Sequence, residues 1–203
     1  MGKAALGLRA HSGWAALVAV AGTRGSIEVV DRRRIELSAS KAPGPRQPYH
    51  EAEGQKLEKA REIITRYSEE AGRLATEEFR AVLADLKTRG HSVVGCGLLL
   101  ASGRPLPDLE SILASHALIH SADGELFRDA LAEAAKKHRL NLIRAREKEV
   151  VGEAASRLRL DPADLQRHVA GLGKTLGPPW TQDQKLAAVA AWLALVSETR
   201  GNG

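Results

Sequence analysis

The densest chemistry in this chain lies in one run, His116-Ala-Leu-Ile-His120-Ser-Ala-Asp123-Gly-Glu125-Leu-Phe-Arg128. Two imidazoles four residues apart share a face if the run is helical, and they can seat Zn²⁺ when Asp123, Glu125 or the distant His11 supplies a third ligand. If Ser121 instead caps a new helix, His120 sits just before that helix's N-terminus, where free backbone N–H groups and Arg128 can hold an anion. A purely structural role also accounts for these residues: His116 ends one helix, His120 packs between two, and Asp123 and Glu125 complement the dipole. No resident metal is expected, with His116, His120 and Asp123 the weak candidates, and no cofactor is required.

The elements that must position this run follow from its surroundings. Leu6–Arg9 and Trp14–Ala21 bracket His11-Ser12-Gly13, and Ser26–Val30 and Arg34–Ser38 read as short strands around Asp31-Arg32-Arg33, giving an antiparallel meander. Three prolines between 41 and 48 forbid a continued sheet and predict a loop. From Glu51 to Arg89, Leu57, Ala60, Ile64, Tyr67, Ala71, Leu74, Phe79, Val82 and Leu86 recur at helical spacing, with a kink expected at Gly72. His91–Ala101 is too uniformly apolar for a half-exposed strand and reads as a buried parallel one. Helices are expected over 108–116 and 121–138, a last strand over 140–144, and helices beyond Glu147. There Asp161-Pro162 and Thr181 with Gln184 are cap signals, and Ala187–Val196 should be buried on most sides. The candidate P-loop Gly171-Leu-Gly173-Lys174-Thr175 lacks its first glycine, His168 standing there, and follows a helix rather than a strand.

The order of strands and helices, and the opening Leu6-Gly-Leu-Arg-Ala-His11-Ser12-Gly13, resemble the ribonuclease H-like superfold, which includes Holliday-junction resolvases and, in elaborated form, actin-like ATPases. The expected fold is therefore an α/β domain over 1–146, with a mixed five-stranded sheet, and a helical extension over 147–203 packed on it. The resemblance implies carboxylates on the first strand, the fourth strand and a helix, holding two Mg²⁺ ions. Here His11 stands where the first acid belongs, and neither 6–21 nor 91–107 contains Asp or Glu. Because hard cations require oxygen ligands, that two-metal site cannot be assembled from these strands. The same topology sets the first and fourth strands side by side and parallel, bringing His11 and the Ser102-Gly103-Arg104 loop to one sheet end. His11, His120 and Glu125 are then the catalytic candidates, an acid/base pair with a ring that titrates near neutral pH. Ser12, Gly13, Arg104, Asp123 and Arg128 are the ligand-binding candidates.

Composition bounds the rest. A chain of 203 residues suits one domain and buries about 70% of the surface its unfolded chain would expose. Its single cysteine, Cys96, excludes a disulfide framework. Lys3 and Arg9 before an apolar stretch ending Ala19-Val20-Ala21 have the outline of a signal peptide, but the stretch reads better as a strand, and no run approaches membrane-spanning length. A cytoplasmic protein is expected. The net charge of +5 lies in the first fifty residues, where eight Lys and Arg face three acids. Arg32-Arg33-Arg34 can attract nucleic acid or simply solvate an edge strand. Seven Phe, Trp and Tyr in all leave few stacking platforms for bases. The functional reading is a ligand-binding or regulatory domain for an unknown small molecule or anion. The alternatives are a hydrolase built on His11 with His120 and Glu125, and a nucleic-acid-binding module. The long 51–89 helix offers a surface for a homodimer or lies along its own sheet.

Overall fold

A computed structural model describes residues 1–197. Three antiparallel strands open the chain, β1 (Gly2–His11), β2 (Trp14–Gly22) and β3 (Ile27–Glu36). Two short helices, α1 (Pro43–Arg46) and α2 (Pro48–Ala52), lead into the 32-residue α3 (Leu57–Thr88). Then follow β4 (His91–Leu100), α4 (Leu109–Leu113), α5 (His116–Lys137), β5 (Asn141–Arg146), α6 (Val150–Leu158), α7 (Pro162–Leu176) and α8 (Gln182–Ser197). The sheet order is β3-β2-β1-β4-β5, antiparallel from β3 to β1 and parallel from β1 to β5. This is the mixed five-stranded sheet of the ribonuclease H-like superfold. No described helix is long and apolar enough to cross a membrane.

Both faces of the central strands are covered, which is why β1, β2 and β4 are apolar without alternation. Leu6, Leu8, Leu17, Ala19, Ile35, Cys96 and Leu98 face a layer made by α3 and α5, with Phe79 and Phe127 at its centre. Ala5, Val18, Val20 and Leu99 face the opposite layer of α6, α7 and α8, where Trp192 is fully buried. Gly7 and Gly97 are paired in register on β1 and β4, and a Cβ on either would collide with the backbone of α8 at Ala187 or Ala190. The pair forms a floor without side chains on which α8 rests. The same contact brings the N-terminus of α8 to the carboxyl end of β1.

The structure departs from the sequence expectations at five places. The helical run expected over 51–89 is broken, α2 ending at Ala52 and α3 beginning only at Leu57. Residues 27–36 form one continuous strand rather than two around Asp31-Arg32-Arg33, with a bulge at Val30 where Ala19 pairs Asp31 and Val20 pairs Val29. The Pro-rich 41–48 segment makes helical turns, because Pro43 and Pro48 stand at first helical positions where a missing N–H costs nothing. No break interrupts α3 at Gly72, whose carbonyl accepts a 2.6 Å hydrogen bond from Thr76 Oγ1. Finally, α5 starts at His116 and runs through Ser121, whose hydroxyl donates back to the Ala117 carbonyl at 3.0 Å instead of capping a new helix. His120 is therefore inside a helix and gains nothing from an N-terminus. The second half of α3 lies along its own sheet, burying Ala71, Ala75, Phe79, Val82 and Leu86.

Candidate functional site

The carboxyl ends of β1, β4 and β5, the N-terminal halves of α5 and α8, and the short α2 converge on one edge of the molecule. At the end of β1, Arg9 reaches across the sheet edge. Its guanidinium forms a bidentate pair with Glu147, Nε to Oε2 at 3.0 Å and Nη2 to Oε1 at 2.7 Å, and its Nη1 pairs with Asp183. These bonds hold the Glu147 carboxyl below the usual carboxylate range, aided by the field of Arg9, His11 and Arg128.

His11 stacks on Trp14, ring centroids 4.1 Å apart and nearly parallel, and Arg34 lies 3.9 Å over the same indole. The His11 Nε2 comes within 3.2 Å of Asp183 Oδ2, but without hydrogen-bond geometry. Burial, reinforced by Arg9, Arg34 and Arg128, pushes the imidazole below its ordinary value of 6.5 despite the opposing pull of Glu147. At neutral pH the ring is an uncharged base beside a carboxylate rather than half of a salt bridge.

A second group lies on α5. Glu125 accepts a 3.0 Å hydrogen bond from Arg128, and with His120, Ser102, Arg104 and Leu106 these two side chains line an open pocket above the end of β4. A neighbouring depression shares Arg104, Glu125 and Arg128 and extends to Arg144 at the end of β5. Three arginines, Arg104, Arg128 and Arg144, thus line this crevice together with Glu125 and Asp129.

The third group joins α2 to α5. His50 Nδ1 lies 2.5 Å from Asp123 Oδ2, and the backbone N–H of Tyr49 donates to Asp123 Oδ1 at 2.7 Å. Asp123 is 2% exposed; burial raises its pKa, opposed by those two hydrogen bonds. The rings of His50, His116 and His120 meet edge to face, with centroids 4.4 to 5.3 Å apart.

Of the residues anticipated from sequence, His120, Glu125, Arg128 and Arg104 are brought together. His11 lines neither pocket that they form, although the charge of Arg128 bears on it, and its carboxylate neighbours are Asp183 and Glu147 rather than Glu125, which is engaged by Arg128. Asp123 does not face ligand: both its oxygens are spent holding α2 against α5. Gly13 adopts φ +79 in a two-residue turn whose carbonyl accepts from Leu37 N–H, and Arg46 packs over it, so the Ser12-Gly13 turn is filled by a side chain. Arg9, Trp14, His50 and Asp183 are site residues that the sequence did not single out. The Thr181/Gln184 signal that marks the start of α8 does form, Thr181 N–H donating to Gln184 at 2.9 Å, but nothing in it places Asp183 beside β1. The basic triplet is absorbed internally. Arg32 donates to the carbonyls of Leu176, Gly177 and Pro179, Arg33 pairs with Asp31 and Asp85, and Arg34 pairs with Glu36.

No family model and no curated protein matches the sequence. Among solved structures the chain is similar to Thermus thermophilus RuvC in complex with Holliday junction substrate, with a TM-score of 0.53 at 12% identity, covering 98% of this chain and 96% of that one. A second Thermus thermophilus RuvC structure matches over the same spans with a TM-score of 0.52 at 12% identity. At that identity the likeness concerns the fold.

Proposed function

We propose that this ribonuclease H-like domain binds a small phosphate- or carboxylate-bearing ligand in the arginine-lined crevice at the carboxyl edge of its sheet, and that it is not a two-metal nuclease. The observation that carries this reading is Arg9. The two carboxylates nearest the end of β1, Glu147 and Asp183, are both held by its guanidinium, and a Mg²⁺ ion there would have to displace a fixed positive charge from its own ligands. Arg104 offers an anion a forked, charge-assisted donor a short way along the same edge, and Arg128 offers the guanidinium nitrogens that its pair with Glu125 leaves over. In this reading residues 1–146 supply the crevice, and Glu147, at the start of the extension, lies near enough for the charge of Arg128 to act on it.

A hydrolytic role is the second reading, favoured by the uncharged His11 ring held against Asp183 and Trp14. The fold likeness to RuvC in complex with Holliday junction substrate makes DNA the natural control ligand, although Arg32, Arg33 and Arg34 are committed within the chain. The test pairs two assays on the purified protein. Inorganic pyrophosphate and nucleotides should raise the melting temperature of the wild type and fail to do so for Arg128→Ala, while junction and duplex DNA should survive with Mg²⁺ or Mn²⁺. Metal-dependent DNA cleavage lost in Asp183→Asn and Glu147→Gln would overturn the proposal.

A further inference from the structure

We infer that His50, His116 and His120 form a binding site for one zinc-class transition-metal dication, with Asp123 as the positioning carboxylate behind it. The inference stands on this cluster alone and does not depend on the identity of any ligand in the crevice.

The three imidazoles each offer a nitrogen, and these atoms all lie within 4.8 Å of one another. Zinc binds imidazole nitrogen at about 2.0–2.1 Å, so two nitrogens on a tetrahedral ion sit about 3.3 Å apart. The Nε2 atoms of His116 and His120 are 3.1 Å apart, already at that spacing, because residues four apart on α5 stack one turn over another. A hydrogen bond between the two would use the same distance, but it would not explain why the third ring is held so firmly against them.

That third ring is fixed from behind. His50 Nδ1 is engaged by Asp123, which leaves Nε2 as its metal-binding atom. Asp123 is itself buried and immobilised by the Tyr49 N–H. A carboxylate fixing the far nitrogen of a ligating histidine sets its tautomer and makes the near nitrogen a better donor. His116 has a looser version of the same support, its Nδ1 lying 3.8 Å from Glu53 Oε1. Three imidazole nitrogens, that of His50 backed by Asp123 and that of His116 with Glu53 nearby, suit Zn²⁺ and its transition-metal neighbours and do not suit Mg²⁺, which requires oxygen. Three protein ligands also leave a coordination position open. His120 lines the pocket of Glu125 and Arg128, so a bound ion borders the crevice.

The experiment is a zinc titration of untagged, chelator-stripped protein against a chromophoric competitor. The expected result is one ion per chain with a dissociation constant below about 1 µM, no competition from Mg²⁺, and tetrahedral-type visible bands when Co²⁺ is used. His50→Ala, His116→Ala and His120→Ala should each weaken binding at least about 100-fold, and Asp123→Asn about 10- to 100-fold. His91→Ala and His168→Ala should leave it unchanged. Because Asp123 also ties α2 to α5, its variant is judged only if its circular dichroism matches the wild type; the exposed His120 gives the variant that folds regardless. Absence of stoichiometric binding overturns the inference, as does affinity retained in folded His50→Ala and His120→Ala or reduced equally by His91→Ala.

Discussion

Arg9 shows how one side chain redirects a site. It pairs with Glu147 and Asp183 together, so replacing it with Leu leaves two carboxylates near each other in a half-buried place without their shared cation. Arg9→Leu should lower stability by about 1–3 kcal/mol, read as a shifted urea midpoint with an unchanged slope; an unaltered midpoint would mean that solvent already screens the pair. His11 makes a prediction in pH. Its folded pKa lies below 6.5, so above that value the ring is neutral in both states and its contribution is fully present. As pH falls below 6.5 the unfolded chain takes up the proton first, and stability drains until the folded ring titrates as well. Between about pH 7 and pH 5 the wild type should therefore lose melting temperature faster than His11→Gln; parallel profiles would contradict the burial argument. At this scale the sequence was half legible. The 116–128 run exposed its chemistry because helical spacing groups residues that are close in sequence. His50 and Asp183 did not, since each meets its partners only through a long-range contact, α2 on α5 or α8 on β1, that no local pattern encodes.

The elements were more legible than the site. A strand buried on both faces and a 3.6-residue apolar period are written in the residues themselves, which is why β4, α3 and α8 could be anticipated closely. The exceptions were set by tertiary partners. Strand β3 stays whole because β2 pairs with it throughout and α7 and α3 accept its arginines. Pro43 and Pro48 start helical turns because their neighbours' carbonyls find donors there, Gln47 N–H bonding Pro43 and Gly44. Two glycine substitutions should have opposite signs. At Gly7 a methyl group strikes the α8 backbone, and Gly7→Ala should cost about 1–3 kcal/mol. At Gly72, in the middle of α3, an added Cβ meets nothing, and Gly72→Ala should gain about 0.5–1 kcal/mol from helix propensity. Thermal melts of the two variants decide both. Cys96 reports the integrity of the same sheet: burial pushes its thiol up to about 12, so a thiol reagent at pH 8 should leave the folded protein untouched and label it fully in denaturant. Rapid native labelling would show that β4 is not covered as described.

Across the whole molecule, a fold similar to that of RuvC over nearly the full length of both chains coexists with 12% identity. Burial pattern and element order suffice to specify such a fold, while the chemistry depends on a handful of side chains at its edge. On the proposed reading, Arg9 and His11 stand where the superfold implies strand carboxylates, Glu147 and Asp183 are paired with Arg9, and Arg104 lines the adjoining crevice beside the Arg128–Glu125 pair. The measurement that bears most directly on this account is a calorimetric titration of the protein with inorganic pyrophosphate. The account predicts saturable binding by the wild type, weakened at least about tenfold, which is 1.4 kcal/mol, in either Arg104→Ala or Arg128→Ala. No binding by the wild type, or wild-type affinity in both variants, would contradict it.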